Sequence, residues 1–204
     1  MRATMGEGYP VPAAPVEREL VVRRSRFIAR AQVAAERSEA LAVVAAARAD
    51  HPDARHHCWA CLIGNPESAS SAAIDDDGEP GGTAGRPILN VIQHKGIGDV
   101  VVVVIRYFGG VKLGAGGLTR AYAQATEQAL AALPLATRES HRRLTLTLDF
   151  AQEQALRHWS EGHDARIDSV SYADGVSMTL TLPERVIDDL YSFCAASGIT
   201  VDCK

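Results

Sequence analysis

The most apolar run of the chain reads Val100-Val-Val-Val-Val-Ile-Arg-Tyr107, and after Phe108 it continues as Gly109-Gly-Val-Lys-Leu-Gly-Ala-Gly-Gly117. The run of valines predicts a strand buried on both faces, because few other elements tolerate so many β-branched residues in succession. A helical pattern opens at Leu118. The order strand, glycine-rich segment, helix organises the first half of the chain.

The segment 109–117, called the glycine loop below, has the composition of an anion-binding loop. Glycine allows backbone N–H groups to crowd together, and a following helix adds unpaired donors and the positive end of its dipole. Nearby cations supply further donors for phosphate or carboxylate. The alternative is that the glycines only permit a tight, closely packed turn. The candidate anion-binding residues are Arg106, Gly109, Gly110, Lys112, Gly114, Gly116, Gly117 and Arg120.

The glycine loop matches neither standard nucleotide fingerprint. A P-loop requires Lys followed by Ser or Thr after its last glycine, whereas Ala115 follows Gly114; a dinucleotide loop requires glycine where Thr119 stands. We therefore predict no cofactor.

A second irregular segment, residues 75–87, reads Asp-Asp-Asp-Gly-Glu-Pro-Gly-Gly-Thr-Ala-Gly-Arg-Pro and is called the acidic segment below. Such a run of acids and glycines predicts a loop that exposes its carboxylates. These oxygens suit a hard cation such as Mg²⁺, but the spacing fails as a calcium loop, because positions one and twelve would be Ala73 and Ala84. The alternative is a solvated acidic turn that caps the next helix.

The next strand is predicted at residues 57–64; His56 ends the loop before it, His57 begins it, and Cys58 and Cys61 lie within it. Adjacent residues of a strand face opposite sides, so one of His56 and His57 is expected to face the same cleft as the glycine loop. The alternative is a capped or hydrogen-bonded histidine at the surface. Cys58 and Cys61 also diverge, which argues against a redox or zinc pair. We assign no metal ligands, and the sequence leaves metal binding by the acidic segment undecided. The candidate cleft residues are His56, His57, Asp76, Asp77, Glu79, Thr83 and Arg86.

The acidic segment and the glycine loop carry opposite charge and are both dense in glycine. We expect them to meet in one site, with Glu79 and Arg106 among its walls. As site residues these two side chains are expected to be exposed, so that alanine at either position removes binding and leaves the stability nearly unchanged.

At these segments the chain resembles the IMPACT/YigZ family. The resemblance rests on two long motifs, residues 76–87 and 106–122, and on two shorter ones, Ser25-Arg-Phe-Ile28 and His51-Pro-Asp-Ala-Arg-His-His-Cys58. Asp75 departs from the pattern, since the family usually carries Ser there. The resemblance covers essentially the whole chain.

The resemblance implies an α+β protein with two domains. The N-terminal domain is expected to resemble the second domain of a small-subunit ribosomal protein, and the C-terminal domain the last domain of elongation factor G. Eukaryotic relatives are linked to translational control, which implies a binding or regulatory protein that contacts ribosome, RNA or a translation-regulator protein.

Hydrophobic periodicity independently favours two domains, 1–136 and 137–204. In the second, Leu144, Leu146 and Leu148 alternate with polar residues as in a one-sided strand. The whole segment reads β-α-β-β-α-β, the ferredoxin-like order.

The distribution of charge between the two domains indicates which of them could contact RNA. Residues 1–136 carry no net charge and residues 137–204 carry a net charge of −4. RNA contact is therefore expected on the first domain, in a patch that includes Arg23, Arg24 and Arg26. The other reading is a small-molecule enzyme, a hydrolase or an enzyme of a phosphate-bearing ligand, and the sequence leaves catalytic activity undecided.

Composition points to a soluble globular protein, with 47% hydrophobic and 23% charged residues. No apolar run approaches the length of a membrane span, and residues 1–15 lack the apolar core of a secretion signal. The expected location is cytoplasmic, without membrane partners.

Overall fold

The structure, a computed structural model, describes residues 8–173 and 175–202. The chain divides into two compact units, an N-terminal unit Tyr9–Arg138 and a C-terminal unit that contains residues 139–202. The protein is thus α+β with a two-domain organisation. In the part of the chain that is described, no helix is both long and apolar enough to cross a bilayer.

The N-terminal unit contains seven strands and three helices. They are β1 (Tyr9–Pro12), β2 (Val16–Val22), β3 (Ser25–Val33), α1 (Arg37–Asp50), β4 (His56–Ile63), β5 (Ser71–Asp75), α2 (Gly85–Lys95), β6 (Val100–Tyr107), α3 (Ala115–Ala131) and β7 (Leu135–Arg138). Strand β7 pairs antiparallel with β1. The structural division therefore falls after Arg138 rather than after Ala136, because Thr137 and Arg138 are partners of Pro10 and Tyr9.

The main sheet has the order β2-β3-β6-β4-β5, with antiparallel neighbours throughout. As the valine run predicts, β6 is central and is buried from Val100 to Arg106. Helices α2 and α3 cover the face that carries Val100, Val102 and Val104, while α1 covers the opposite face. Strand periodicity then places Arg106 on the α2/α3 face and Tyr107 on the α1 face.

The C-terminal unit has the predicted element order. It comprises β8 (His141–Leu148), α4 (Phe150–Gly162), β9 (Arg166–Tyr172), β10 (Val176–Pro183), a 3₁₀ turn (Glu184–Val186), α5 (Ile187–Ser197) and β11 (Thr200–Asp202). The antiparallel sheet order is β11-β8-β10-β9, which is compatible with a ferredoxin-like arrangement. Leu144, Leu146 and Leu148 all point into the core, as their alternation predicts.

Candidate functional site

One cavity of about 460 Å³ is lined by both loops of the N-terminal unit. Glu79 and Arg106 are among the lining residues, as the opposite charges of the two segments predict. The whole lining consists of Arg55, His56, Gly78, Glu79, Pro80, Arg106, Phe108, Lys112, Leu113, Gly114, Ala115 and Leu118.

Glu79 and Arg106 form a buried ion pair at this cavity. Arg106 Nη1 lies 2.5 Å from Glu79 Oε1, and the Tyr122 hydroxyl donates to the same oxygen at 2.8 Å. Only 7% of the Arg106 side chain and 4% of the Glu79 side chain are exposed. The expectation that both are exposed is wrong, because β6 is buried up to Arg106, just before the glycine loop, and α3 covers it.

The guanidinium of Arg106 lies against two aromatic rings, with its central carbon 5.4 Å from the Phe27 ring centre and 5.7 Å from that of Phe108. Its Nε is buried and has no hydrogen-bond partner among the residues described. Buried donors are nearly always paired, and leaving one unpaired is costly. The residue that carries this unpaired donor is one of those that line the cavity.

The side chains of the two histidines at the start of β4 lie on opposite faces of the sheet, as predicted. His56 lines the cavity, and its Nδ1 lies 2.8 Å from the Asp77 carbonyl oxygen, so Nδ1–H must donate. The neutral ring then carries its lone pair on Nε2. His57 faces α1 instead: its Nε2 lies 3.2 Å from the His51 carbonyl oxygen, and the ring is buried outside the cavity.

Burial lowers the pKa of His57 below its ordinary value of 6.5. We expect the free energy of unfolding to decrease as the pH falls below about 6.5, because the unfolded chain gains a proton at His57 there while the folded chain resists it. Urea unfolding at pH 7.5 and pH 5 measures this dependence. The dependence should shrink in His57→Gln and persist in His141→Gln, which alters an exposed histidine; an unchanged dependence in His57→Gln would contradict the assignment.

Asp76 and Asp77 serve the local structure of the acidic segment. The Asp76 carboxylate accepts the N–H groups of Gly82, Ala84 and Gly85 at 2.7–3.0 Å, beside the start of α2. Burial alone would raise the pKa of Asp76, but these N–H donors outweigh it and the pKa lies below its usual range. The observed contacts of Asp76 therefore agree with the alternative of an acidic turn that caps the next helix.

Asp77 bridges the acidic segment to β4 and α1. It accepts from the His57 N–H at 2.6 Å and from Arg48 Nη2 at 2.8 Å. With Glu79 bound by Arg106, the carboxylates of Asp76, Asp77 and Glu79 all have protein donors. No cluster of three or more His, Cys, Asp or Glu side chains suited to a metal occurs within the described residues.

Two further cleft candidates lie outside the cavity lining. Thr83 is buried and its hydroxyl donates to the Pro80 carbonyl oxygen at 2.6 Å. Arg86 lines a separate groove of about 320 Å³, which residues of α2 and α3 form. Neither side chain is therefore brought to the glycine loop.

The glycine loop contains glycines of two kinds. Gly114 precedes α3, has φ 71° and lines the cavity, as an anion loop requires. Gly109 is needed for packing, because a Cβ there would lie 2.0 Å from the carbonyl carbon of Arg24. Gly110 is exposed at φ 83° with open space around it.

Helix α3 begins at Ala115, before the predicted start at Leu118. Gly116 and Gly117 consequently belong to its first turn, and neither lines the cavity. Arg120 is exposed in the next turn and also lies outside the lining.

The sequence did not indicate the role of Tyr122, whose position on the apolar face of α3 suggested only packing. Its hydroxyl joins Glu79 to Cys58, whose Sγ lies 3.3 Å away and donates to the Asp76 carbonyl oxygen at 3.0 Å. Burial raises the pKa of both Cys58 and Tyr122, so neither is an activated nucleophile. Cys61 packs on the opposite face of the sheet, as strand geometry predicts.

Comparison with known proteins identifies both parts of the chain. Residues 23–130 match the Impact N-terminal domain, and residues 146–193 match a domain of unknown function (DUF1949). An IMPACT family member of Haemophilus influenzae is 35% identical over 88% of this chain and 87% of its own length. IMPACT family member YigZ of Escherichia coli is 37% identical over 87% of each chain. A crystal structure of a hypothetical protein superposes with a TM-score of 0.72 at 33% identity, over 97% of this chain and 98% of the other.

Proposed function

Since this chain belongs to the IMPACT family, we propose that it is a binding or regulatory protein associated with translation, and that its N-terminal unit contacts RNA. Family membership supports the association with translation. The strand orders support the finer fold assignments, a ribosomal-protein-domain-2-like N-terminal unit and a ferredoxin-like C-terminal unit.

The distribution of unpaired cations carries the proposal. In the C-terminal unit, the described arginines all pair with carboxylates: Arg142, Arg143, Arg157, Arg166 and Arg185. In the N-terminal unit, several cations have no such partner within the described residues: Arg23, Arg24, Arg55, Lys112 and Arg120. Unneutralised cations attract phosphate oxygens and release counterions, which is the main source of non-specific RNA affinity.

Two of these arginines occupy an unfavourable backbone conformation. Arg23 and Arg24 form the two-residue turn between β2 and β3, with φ 45° and 69°. Such turns favour Asn-Gly, and other residues pay a conformational cost at positive φ. The turn packs against Gly109 through Arg24, and the Gly109 N–H donates to the Ser25 hydroxyl at 3.1 Å, so this end of the turn lies beside the glycine loop.

We expect Arg23→Asn/Arg24→Gly to reduce RNA affinity by about tenfold and to lower the salt slope by about 1.4, on the estimate of about 0.7 per phosphate contact with single strands. Fluorescence anisotropy with a single-stranded RNA at several KCl concentrations measures both. Arg142→Ala/Arg143→Ala is the matched control, an adjacent pair of arginines that already have carboxylate partners. Equal losses in the two variants, or none in either, would contradict the assignment to the N-terminal unit.

Ribosome co-sedimentation with the same two variants relates RNA affinity to the translation apparatus. We expect the wild-type chain and the control to sediment with ribosomes and the Arg23→Asn/Arg24→Gly variant to remain in the supernatant. Equal sedimentation of all three would contradict a ribosome contact through this turn.

A small-molecule enzyme is the second candidate, and the orientation of His56 favours it. Nδ1–H donates to the Asp77 carbonyl oxygen, which leaves Nε2 suited to general acid–base catalysis at the cavity. Cys58 and Tyr122 do not supply an activated nucleophile, since burial raises the pKa of both. Binding therefore remains the first proposal.

A further inference from the structure

We propose that the cavity binds a terminal phosphate monoester, either of a free nucleotide or at the 5′ end of an RNA, with Arg106 Nε as its buried donor. The inference rests on the proposed function, in that it names the chemical group of an RNA-like ligand which the cavity takes.

The first step is the unsatisfied donor. The Arg106 guanidinium contacts the rings of Phe27 and Phe108 and pairs with Glu79, so the side chain is already placed at the cavity. Its Nε has no partner in the described chain, although the side chain is more than nine-tenths buried. A buried N–H of this kind requires an acceptor oxygen, and the start of α3 at Gly114 and Ala115 adds backbone donors to the same cavity.

The second step is the charge of the ligand. Glu79 and Arg106 neutralise each other, and Glu79 is the one carboxylate in the cavity lining. Arg55 and Lys112, which have no carboxylate partner among the residues described, are two further lining cations beside the positive end of α3. A phosphate monoester carries about −1.5 to −2 at neutral pH, which matches this charge better than the single charge of a carboxylate or a phosphodiester.

The third step is the shape of the cavity. A volume of about 460 Å³ exceeds the needs of phosphate alone and lies in the usual range for small-molecule sites. Phe108, which is 48% exposed, together with Leu113 and Leu118 supplies an apolar wall on which a base can stack.

The test uses the full chain with four probes. Calorimetry compares AMP with adenosine, and anisotropy compares a 3′-labelled RNA octamer that carries a 5′-phosphate with the same octamer carrying a 5′-hydroxyl. We expect AMP to bind at least about tenfold more tightly than adenosine, and the phosphorylated octamer to bind about tenfold more tightly than its counterpart.

Arg106→Lys keeps the positive charge but removes Nε–H, and should reduce each preference to less than about twofold. Lys112→Ala alters an exposed lining residue and serves where Arg106→Lys fails to fold; it should weaken the phosphate preference by at least about threefold. Lys95→Ala is the matched control, because Lys95 pairs with Glu127 outside the cavity lining.

The outcomes separate this inference from the proposed function. RNA binding without any preference for AMP or for the 5′-phosphate would overturn the terminal-phosphate site and leave RNA contact intact. Tight AMP binding without RNA binding would support the site and contradict the RNA proposal. Absence of binding by every probe at millimolar concentration would overturn both.

Discussion

Replacing Glu79 with alanine is expected to lower the free energy of unfolding by about 3–5 kcal/mol, and Arg106→Ala should have a similar effect. Each change leaves the other charge buried without its partner, and Glu79→Ala also removes the acceptor of the Tyr122 hydroxyl. Urea unfolding monitored by circular dichroism measures the loss, provided that the transition of the N-terminal unit is resolved from that of the C-terminal unit.

Two further variants test the physical cause. Glu79→Gln keeps the size and an acceptor oxygen, so it should cost less than Glu79→Ala. The double variant Glu79→Ala/Arg106→Ala should cost clearly less than the sum of the single changes, because no unpaired charge remains. Additive losses in the double variant, or single losses below about 1 kcal/mol, would show that the pair is not coupled as the geometry indicates.

Gly109→Ala is expected to reduce stability by about 3 kcal/mol, at the upper end of the usual cost of overpacking. The new Cβ would lie 2.0 Å from the Arg24 carbonyl carbon and 2.3 Å from the Ser25 nitrogen, so backbone must move. The displaced atoms belong to the turn Arg23-Arg24, and RNA affinity should fall together with stability.

Gly110→Ala is the matched control for Gly109→Ala. Its Cβ would meet nothing within 4 Å, and only its φ of 83° opposes the substitution. We expect a loss of about 1–2 kcal/mol from this backbone strain and unchanged RNA affinity. If the two alanine variants lose the same stability, close packing of the turn on the glycine loop is not the reason for Gly109.

Patterns of short period predicted much of the fold. The valine run predicted the central strand β6, and the alternation of Leu144, Leu146 and Leu148 predicted a one-sided strand. The same period separated His56 from His57 and Cys58 from Cys61. These predictions succeed because side-chain direction in a strand depends only on position along the strand.

The sequence patterns did not predict three short strands. Strands β1 and β7 have four residues each, and β1 contains two prolines, while β5 is largely exposed. Such segments lack a hydrophobic period of their own and become strands because a partner pairs with them. The pairing of β7 with β1 also moves the division between the two units to Arg138.

By itself, the sequence determined the family, the order of the main elements and the meeting of two oppositely charged loops. Only the tertiary structure decided how the charges are used: Glu79 neutralises Arg106, Asp76 accepts N–H groups at the start of α2, and the arginine Nε has no partner in the described part of the chain. The sequence of a loop does not show whether a carboxylate in it is hydrated, accepts a backbone N–H or pairs with a buried guanidinium. That choice depends on contacts between residues far apart in the chain, such as Glu79 and Tyr122, which no local pattern encodes.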